Sequence, residues 1–253
     1  MDSIPFLTVD NELITLSQAL KYWKNSGIFS RMLQEVLQQH CLKKELDLRE
    51  DLKVDNFELD QACVEFRVQN QLTDGDIFQK WLSSNNFTYK KFQERIAFAL
   101  KLEQLKSEIV EPQLEEYFKK QKPFLDCVIL SRLILGEQDL AEKLKQQIIE
   151  DRGQFEPLVQ EYSLTDDRTA NGMMGAVPKG QMPDILRTAL DSANPGELIG
   201  PLEIDGRYCL FCVHQFLPAS LEEEPLKQEL KNQLFDQWLQ EKIKSLDIRL
   251  EVK

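Results

Sequence analysis

Along the first 120 residues, apolar side chains recur every three or four positions, which is the spacing of one face of an α-helix. Runs of this kind cover 15–23, 28–42, 57–72, 76–82 and 88–105. Thr15 and Gln18 have the spacing of a capping box, which predicts the start of the first helix. Pro112 has the position of a first-turn proline and predicts a separate last helix. The pattern therefore predicts an all-α region, preceded by one short strand at Phe6–Val9.

The pattern changes at Pro123. An apolar, β-branched run over 124–135 predicts a strand, and shorter runs over 199–202 and 206–216 predict two more. Helices are predicted at 139–150, 155–162 and 184–190. Strands and helices on this scale indicate a compact α+β module.

The end of the chain returns to helical spacing over 221–246. A helix with so wide an apolar face needs a partner, which is either the N-terminal helices or a second copy of the chain. We favour the N-terminal helices, and therefore a monomer rather than a dimer. The two-residue alternation over 248–252 predicts a strand, which we expect to pair with Phe6–Val9.

The predicted fold class is therefore α+β. A helical N-terminal domain, 1–122, is completed by a C-terminal helix and strand, 220–253, and the α+β domain, 123–219, is inserted between them.

Charge narrows the classes of partner. Lys and Arg number 31 against 43 Asp and Glu, a net charge of −12. This balance argues against nucleic-acid binding and against docking on anionic lipid. It suits a binder of unfolded or basic polypeptides, although solubility alone explains it equally well.

The chain shows no secretory signal pattern at its N-terminus and no run of 18 apolar residues. We therefore expect a cytoplasmic protein without membrane insertion. The alternative is a periplasmic protein whose signal is not part of this sequence.

The chain has five cysteines and two histidines. Cys209 and Cys212 have the spacing of a zinc or redox pair, but they lie in the apolar run YCLFCV and no second pair of this kind is present. We therefore interpret them as core residues of a strand.

The stretch 155–182 is the best candidate for a functional site in the sequence. Gly172 and Gly175 suggest backbone with positive φ or a close approach. The methionines at 173, 174 and 182 place adaptable apolar side chains beside this loop. A surface turn with core-filling methionines is an equally good interpretation from the residues alone.

Five segments in this order resemble the parvulin family of peptidyl-prolyl cis/trans isomerases, the rotamases. They are SRLIL (131–135), FEPLVQEYS (155–163), NGMMGAVPKGQM (171–182), NPGELIGPL (194–202) and GRYCLFCV (206–213). The resemblance spans about 124–218 and implies a small antiparallel sheet with flanking helices. The helical flanks resemble, more loosely, the layout of SurA-type chaperones.

The resemblance also implies a site. The walls for a proline ring correspond to Met174, Met182 and Leu186. The positions where the family usually has histidines are matched to Leu133, as a substrate contact, and Tyr208, as a catalytic residue. The family's Cys or Asp corresponds to Thr165, a second catalytic residue, with Asp166 beside it as a further substrate contact.

The implied function is isomerisation of X–Pro bonds in unfolded or proline-containing polypeptides, a chaperone role for such chains, or both, with no cofactor or metal. Because both histidines are replaced, we expect catalysis to be weak. The alternatives are a non-catalytic peptide-binding chaperone and an interaction module without a peptide ligand.

Overall fold

The computed structural model describes residues 4–251. The contacts within the chain divide it into two compact units. The first contains the residues up to Gln113 and those from Lys231 onward, and the second is Leu114–Leu230.

The first unit begins with a hairpin and continues with helices. Strand β1 is Pro5–Val9 and strand β2 is Glu12–Thr15, and they pair antiparallel. The helices are α1 (Leu16–Asn25), α2 (Phe29–Asp47), α3 (Asn56–Gln69), α4 (Gly75–Ser84) and the start of α5 (Tyr89–Leu125). The end of the last helix, α9 (Glu224–Lys244), also belongs to this unit.

Local signals place several helix starts. Thr15 and Gln18 form the predicted capping box of α1, and the side chain of Asp55 caps α3. Helix α4 is capped by Asp74.

The separate helix predicted at Pro112 is wrong, because α5 continues through this proline, where the missing N–H removes one backbone hydrogen bond.

Two apolar clusters contribute to the core of the described part of the first unit. One is centred on Phe92, around which the rings of Phe66, Phe78, Trp81 and Tyr89 pack edge-on or tilted. The other contains Leu46, Leu52 and Leu105, and Trp238 from α9 packs against it.

The predicted terminal strand is wrong for the described part of 248–252. Residues 247–251 have no regular secondary structure, and Val252 lies outside the described residues. Strand β1 pairs with β2 instead, because the tight turn at Asp10 and Asn11, both at positive φ, brings a nearer partner strand alongside.

The second unit is built on a four-stranded antiparallel sheet. Its strands are β3 (Cys127–Leu135), β4 (Met173–Pro178), β5 (Leu198–Ile204) and β6 (Arg207–Leu217), in the order β4-β3-β6-β5. Besides the end of α5 and the start of α9, its helices are α6 (Gln138–Glu150), α7 (Phe155–Tyr162) and α8 (Asp184–Leu190). Strand β4 lies in what the sequence suggested was a loop.

Each face of the sheet has its own core. Leu186 and Leu190 of α8 pack on one face, against residues such as Val128, Leu130 and Phe211. Helices α6 and α7 pack on the other face, where the core contains Ala141, Leu144, Ile148, Phe155, Leu158, Val159 and, from the sheet, Leu133, Leu135 and Leu210. We call these the α8 face and the α6/α7 face.

The mixed α+β class with a small antiparallel sheet is confirmed. The domain boundaries expected at 122/123 and 219/220 stay a prediction. Within 4–251, no helix has an apolar stretch long enough to cross a bilayer.

Candidate active site

An apolar cavity of about 130 Å³ opens on the α8 face of the sheet. Its lining residues are Arg132, Ile134, Met174, Val177, Gln181, Met182, Pro183, Leu186, Ile204, Cys209 and Phe211. A dry cavity of roughly 150 Å³ accepts benzene, so the smaller ring of a proline fits here.

The loop between α7 and β4 closes against strand β3 at the edge of this cavity. The amide of Leu164 donates to the carbonyl of Ile134, and the amide of Arg132 donates to the carbonyl of Gly172, both at 2.9 Å. Gly172 is required at this contact. It has φ +70°, and a Cβ there would lie 2.1 Å from the carbonyl oxygen of Arg132.

This closure joins four polar side chains in a directed chain. Arg132 Nε donates to Asp167 Oδ2 at 2.7 Å, and Thr165 donates to Asp167 Oδ1. Because Thr165 has used its only proton, Ser163 donates to Thr165 Oγ1 across 3.0 Å. Ser163 is buried, and its Oγ accepts the amide of Ile134. The carboxylate of Asp167 therefore orients both Arg132 and Thr165.

Arg132 is the cationic group of the cavity wall. Its side chain is 32% exposed, and its pairing with Asp167 uses one of the five N–H donors of the guanidinium. The remaining donors can serve a bound peptide group. Cys209 is also in the wall, and burial raises the pKa of its thiol, so this residue contributes a neutral side chain to the cavity.

The structure brings together all three residues matched to the proline pocket. Met174, Met182 and Leu186 all line the cavity, and Met182 and Leu186 are buried. Thr165 belongs to the polar chain described above, whereas the neighbouring Asp166 is exposed. Their roles toward a substrate stay predictions.

Leu133 and Tyr208 do not line this cavity, and their roles toward a substrate stay predictions. Leu133 is buried in the core of the α6/α7 face, opposite the cavity, and the partly buried Tyr208 packs against the same core. Side chains alternate along a strand, so a shift of one residue in matching two sequences moves every position to the other face. The residues that face the cavity are their neighbours, Arg132 and Cys209.

The sequence contained a signal for which side chains share a face of the sheet. In SRLIL, Leu133 and Leu135 share one face, and in YCLFC, Tyr208, Leu210 and Cys212 do so. The signal was incomplete, because both faces of this sheet are covered and both sets of residues are mostly apolar. Cys209 and Cys212 consequently lie on opposite faces of β6.

Comparison with known proteins defines the class of this domain. Residues 137–215 match the rotamase family, described as the PPIC-type PPIase domain. The chain therefore contains a parvulin-type peptidyl-prolyl isomerase domain, as the five sequence segments indicated. The match begins after β3, so Arg132 lies outside it although β3 is an inner strand of the sheet.

The similar proteins include foldases. Foldase protein PrsA 1 of Listeria monocytogenes is 28% identical over 159 residues, which are 61% of this chain and 51% of that protein. The chain thus spans about half the length of this curated relative.

Several similar solved structures cover nearly the whole chain. Peptidylprolyl isomerase PrsA of Bacillus cereus matches with a TM-score of 0.50 at 18% identity, over 100% of this chain and 96% of that one, which shows a shared fold. A structure from work on the SurA-like chaperones PEB4 and Cj1289 of Campylobacter jejuni matches with a TM-score of 0.36 at 13% identity, over 98% of this chain and 100% of that one.

Proposed function

We propose that this chain is a peptidyl-prolyl cis/trans isomerase that acts on proline-containing segments of unfolded polypeptides. The observation that carries the proposal is the position of the Arg132 guanidinium, ordered by Asp167, in the wall of a cavity that fits a proline ring.

The chemistry requires little covalent participation from the protein. Rotation about an X–Pro bond has a barrier of about 20 kcal/mol, because the twisted amide loses its resonance. In the twisted state the proline nitrogen has a localised lone pair, and the carbonyl is no longer conjugated to it. A donor that meets this nitrogen only in the twisted state lowers the barrier, and each factor of ten in rate requires about 1.4 kcal/mol.

Arg132 has the properties of such a donor. Its guanidinium keeps free N–H groups beside the cavity while Nε is held by Asp167. Asp167 is held in turn by Thr165, so the donor is oriented before a substrate binds. Preorganised donors of this kind are effective because they need no rearrangement during the reaction.

The apolar walls supply the second contribution. Met182, Leu186 and Phe211 surround the space for the proline ring and exclude water from it. An X–Pro amide placed at the edge of this cavity loses part of its hydration, and that favours the less polar twisted form.

The test is a protease-free isomerisation assay by NMR exchange spectroscopy, with a series of short X–Pro peptides. We expect exchange between cis and trans signals to accelerate in proportion to protein concentration. Peptide shifts without faster exchange at any residue before proline would contradict the isomerase proposal.

A second candidate is a peptide-binding chaperone without catalysis. Two observations favour it: no histidine lines the cavity, and Arg132 shares its charge with Asp167. Suppression of the aggregation of an unfolded client at substoichiometric protein, without exchange enhancement, would support this alternative.

The name of the Listeria foldase supports unfolded polypeptides as the partner class. The predicted monomer is tested by light scattering after size-exclusion chromatography. The relatives do not support the expected cytoplasmic location, whereas the periplasmic alternative is consistent with them, and immunoblots of cell fractions distinguish the two.

A further inference from the structure

The second unit contains a larger groove, about 650 Å³ in volume, apart from the proline cavity. It lies between the edge of the sheet and the start of α9, and we call it the α9 groove. Its lining is mostly apolar and consists of Phe124, Leu125, Cys127, Ala176, Pro178, Gly180, Gln181, Leu217, Pro218, Ala219, Glu223, Leu226 and Glu229.

Close contacts hold the walls of the α9 groove in place. A Cβ on Gly180 would lie 3.0 Å from the carbonyl oxygen of Phe124, so these two segments touch backbone to backbone. Asp126 accepts the amide of Ala219 at 2.8 Å and pairs with Lys122 at 2.7 Å. The groove is therefore a built feature of the fold that requires no rearrangement to form.

The charge at the groove is negative. Glu223 is exposed, and its carboxylate lies close enough to raise the pKa of the Cys127 thiol, an effect second to burial. Three cations near the groove are paired with carboxylates of their own: Lys122 with Asp126, Lys179 with Asp191 and Arg187 with Asp184. A fourth cation, Lys227, lies one helical turn after Glu223 on α9. An apolar groove with a carboxylate on its wall is complementary to an apolar residue next to Lys or Arg.

The groove adjoins the proline cavity. Gln181 lines both spaces, and strand β4 separates them. Val177 of β4 faces the cavity, whereas Ala176 and Pro178 line the groove. A single extended peptide can therefore reach both.

We propose that the α9 groove is a second subsite for the polypeptide whose proline enters the cavity, and that it selects an apolar residue flanked by a basic one. This inference rests on the proposed function for the proline position. The groove's preference for a basic residue can be measured separately.

The experiment uses the full chain and fluorescence anisotropy with labelled peptides. The probes contain Ala-Pro, a spacer of one to four alanines, and then either Leu-Lys or Leu-Glu. A third set has alanine in place of proline. We expect the Leu-Lys probe of the best spacer to bind about fivefold more tightly than its Leu-Glu counterpart at low salt, and the difference to shrink at high salt.

Two variants locate the preference. Glu223→Lys should reverse it, whereas Glu222→Lys, the same change at an exposed neighbour outside the lining, should leave a preference for Leu-Lys. Ala176→Trp fills the groove from an exposed strand position and should weaken both probes. Equal affinity for Lys and Glu probes, or a preference that survives Glu223→Lys, would overturn the inference.

The two proposals fail in different ways. If the wild-type chain accelerates a short Ala-Pro peptide but shows no Lys preference, the subsite is wrong and the isomerase proposal stands. If the Lys preference is present in proline-free probes while no X–Pro peptide is accelerated, the isomerase proposal is wrong and the groove stands.

Discussion

Arg132 Nε and Asp167 Oδ2 lie 2.7 Å apart, and this contact joins an inner strand of the sheet to the loop that follows α7. The two residues are 35 positions apart in sequence, and their side chains are 32% and 22% exposed. A half-buried pair of this kind contributes modestly to stability. In the proposed mechanism this pair has a larger consequence, because it sets the direction in which the remaining guanidinium donors point.

Replacing Arg132 should reduce catalysis more than binding. Arg132→Leu removes a charged donor, and such hydrogen bonds contribute about 1.5–3 kcal/mol, so turnover should fall by about 10- to 100-fold. Arg132→Lys keeps the charge but loses the planar fork, and should retain an intermediate rate. The measurement is NMR exchange at saturating peptide. Wild-type turnover in Arg132→Leu would show that another group polarises the amide.

Asp167→Asn tests whether Arg132 is oriented by its partner. Loss of the carboxylate charge leaves Arg132 and Thr165 less well held, and we expect turnover to fall about fivefold or more. Asp166→Asn is the matched control, because Asp166 is the exposed neighbour in the same 3₁₀ turn. Equal losses in the two variants would indicate a general effect of acidic charge.

Thr165→Ala and Tyr208→Phe separate the two faces of the sheet. Thr165 donates to Asp167, so its loss should lower turnover about two- to fivefold. Tyr208 packs on the α6/α7 face, and removal of its hydroxyl should leave turnover unchanged. Exchange rates of both variants show which of the two hydroxyl groups contributes to turnover. A marked defect in Tyr208→Phe alone would support the catalytic role of Tyr208 that the sequence suggested.

Gly172→Ala and Gly175→Ala compare two glycines with nearly the same φ, +70° and +73°. Alanine at 175 meets nothing within 4 Å, so it incurs only the backbone strain of about 1 kcal/mol. Alanine at 172 also collides with Arg132 and should destabilise the second unit by about 3 kcal/mol or more. Hydrogen exchange of the β3 and β6 amides measures the destabilisation caused by each variant. Similar protection in the two variants would mean that the loop moves away from β3 easily.

The first unit should show a specific acid sensitivity. Hydrogen bonds from Arg49 lower the pKa of Asp51 from 3.8 to about 2. The folded pKa is below the unfolded one, so this contribution to stability is complete above about pH 4 and is lost as the pH falls toward 2. Tryptophan fluorescence reports this unit, which contains all three tryptophans. Asp51→Asn should make the unfolding free energy of this unit depend less on pH between pH 4 and 2. Glu50→Gln, at an exposed neighbour, should leave this pH dependence unchanged.

Much of the fold could be read from the sequence because its signals are local. The capping box at Thr15, the helix at 184–190 and the strand expected over 206–216 and observed as Arg207–Leu217 all follow from side-chain spacing and backbone preferences. The order of five short segments was sufficient to indicate the parvulin domain, which the rotamase match confirms.

The polar half of the candidate site could not be read in this way. Leu133 and Arg132 are adjacent in sequence, and both faces of β3 are covered by helices, so side-chain alternation did not reveal which residue faces the cavity. The same holds for Tyr208 and Cys209 on β6.

What the sequence determined by itself was most of the helices, the strands β1, β3, β5 and β6, the family of the α+β domain and the apolar residues Met174, Met182 and Leu186 of the cavity lining. Only the tertiary structure decided the strand faces, the partner of β1 and the pairing of Arg132 with Asp167. The reason is physical. Helix caps and turns depend on residues a few positions apart, whereas sheet register and a side-chain pair 35 residues apart exist only once the cores have packed.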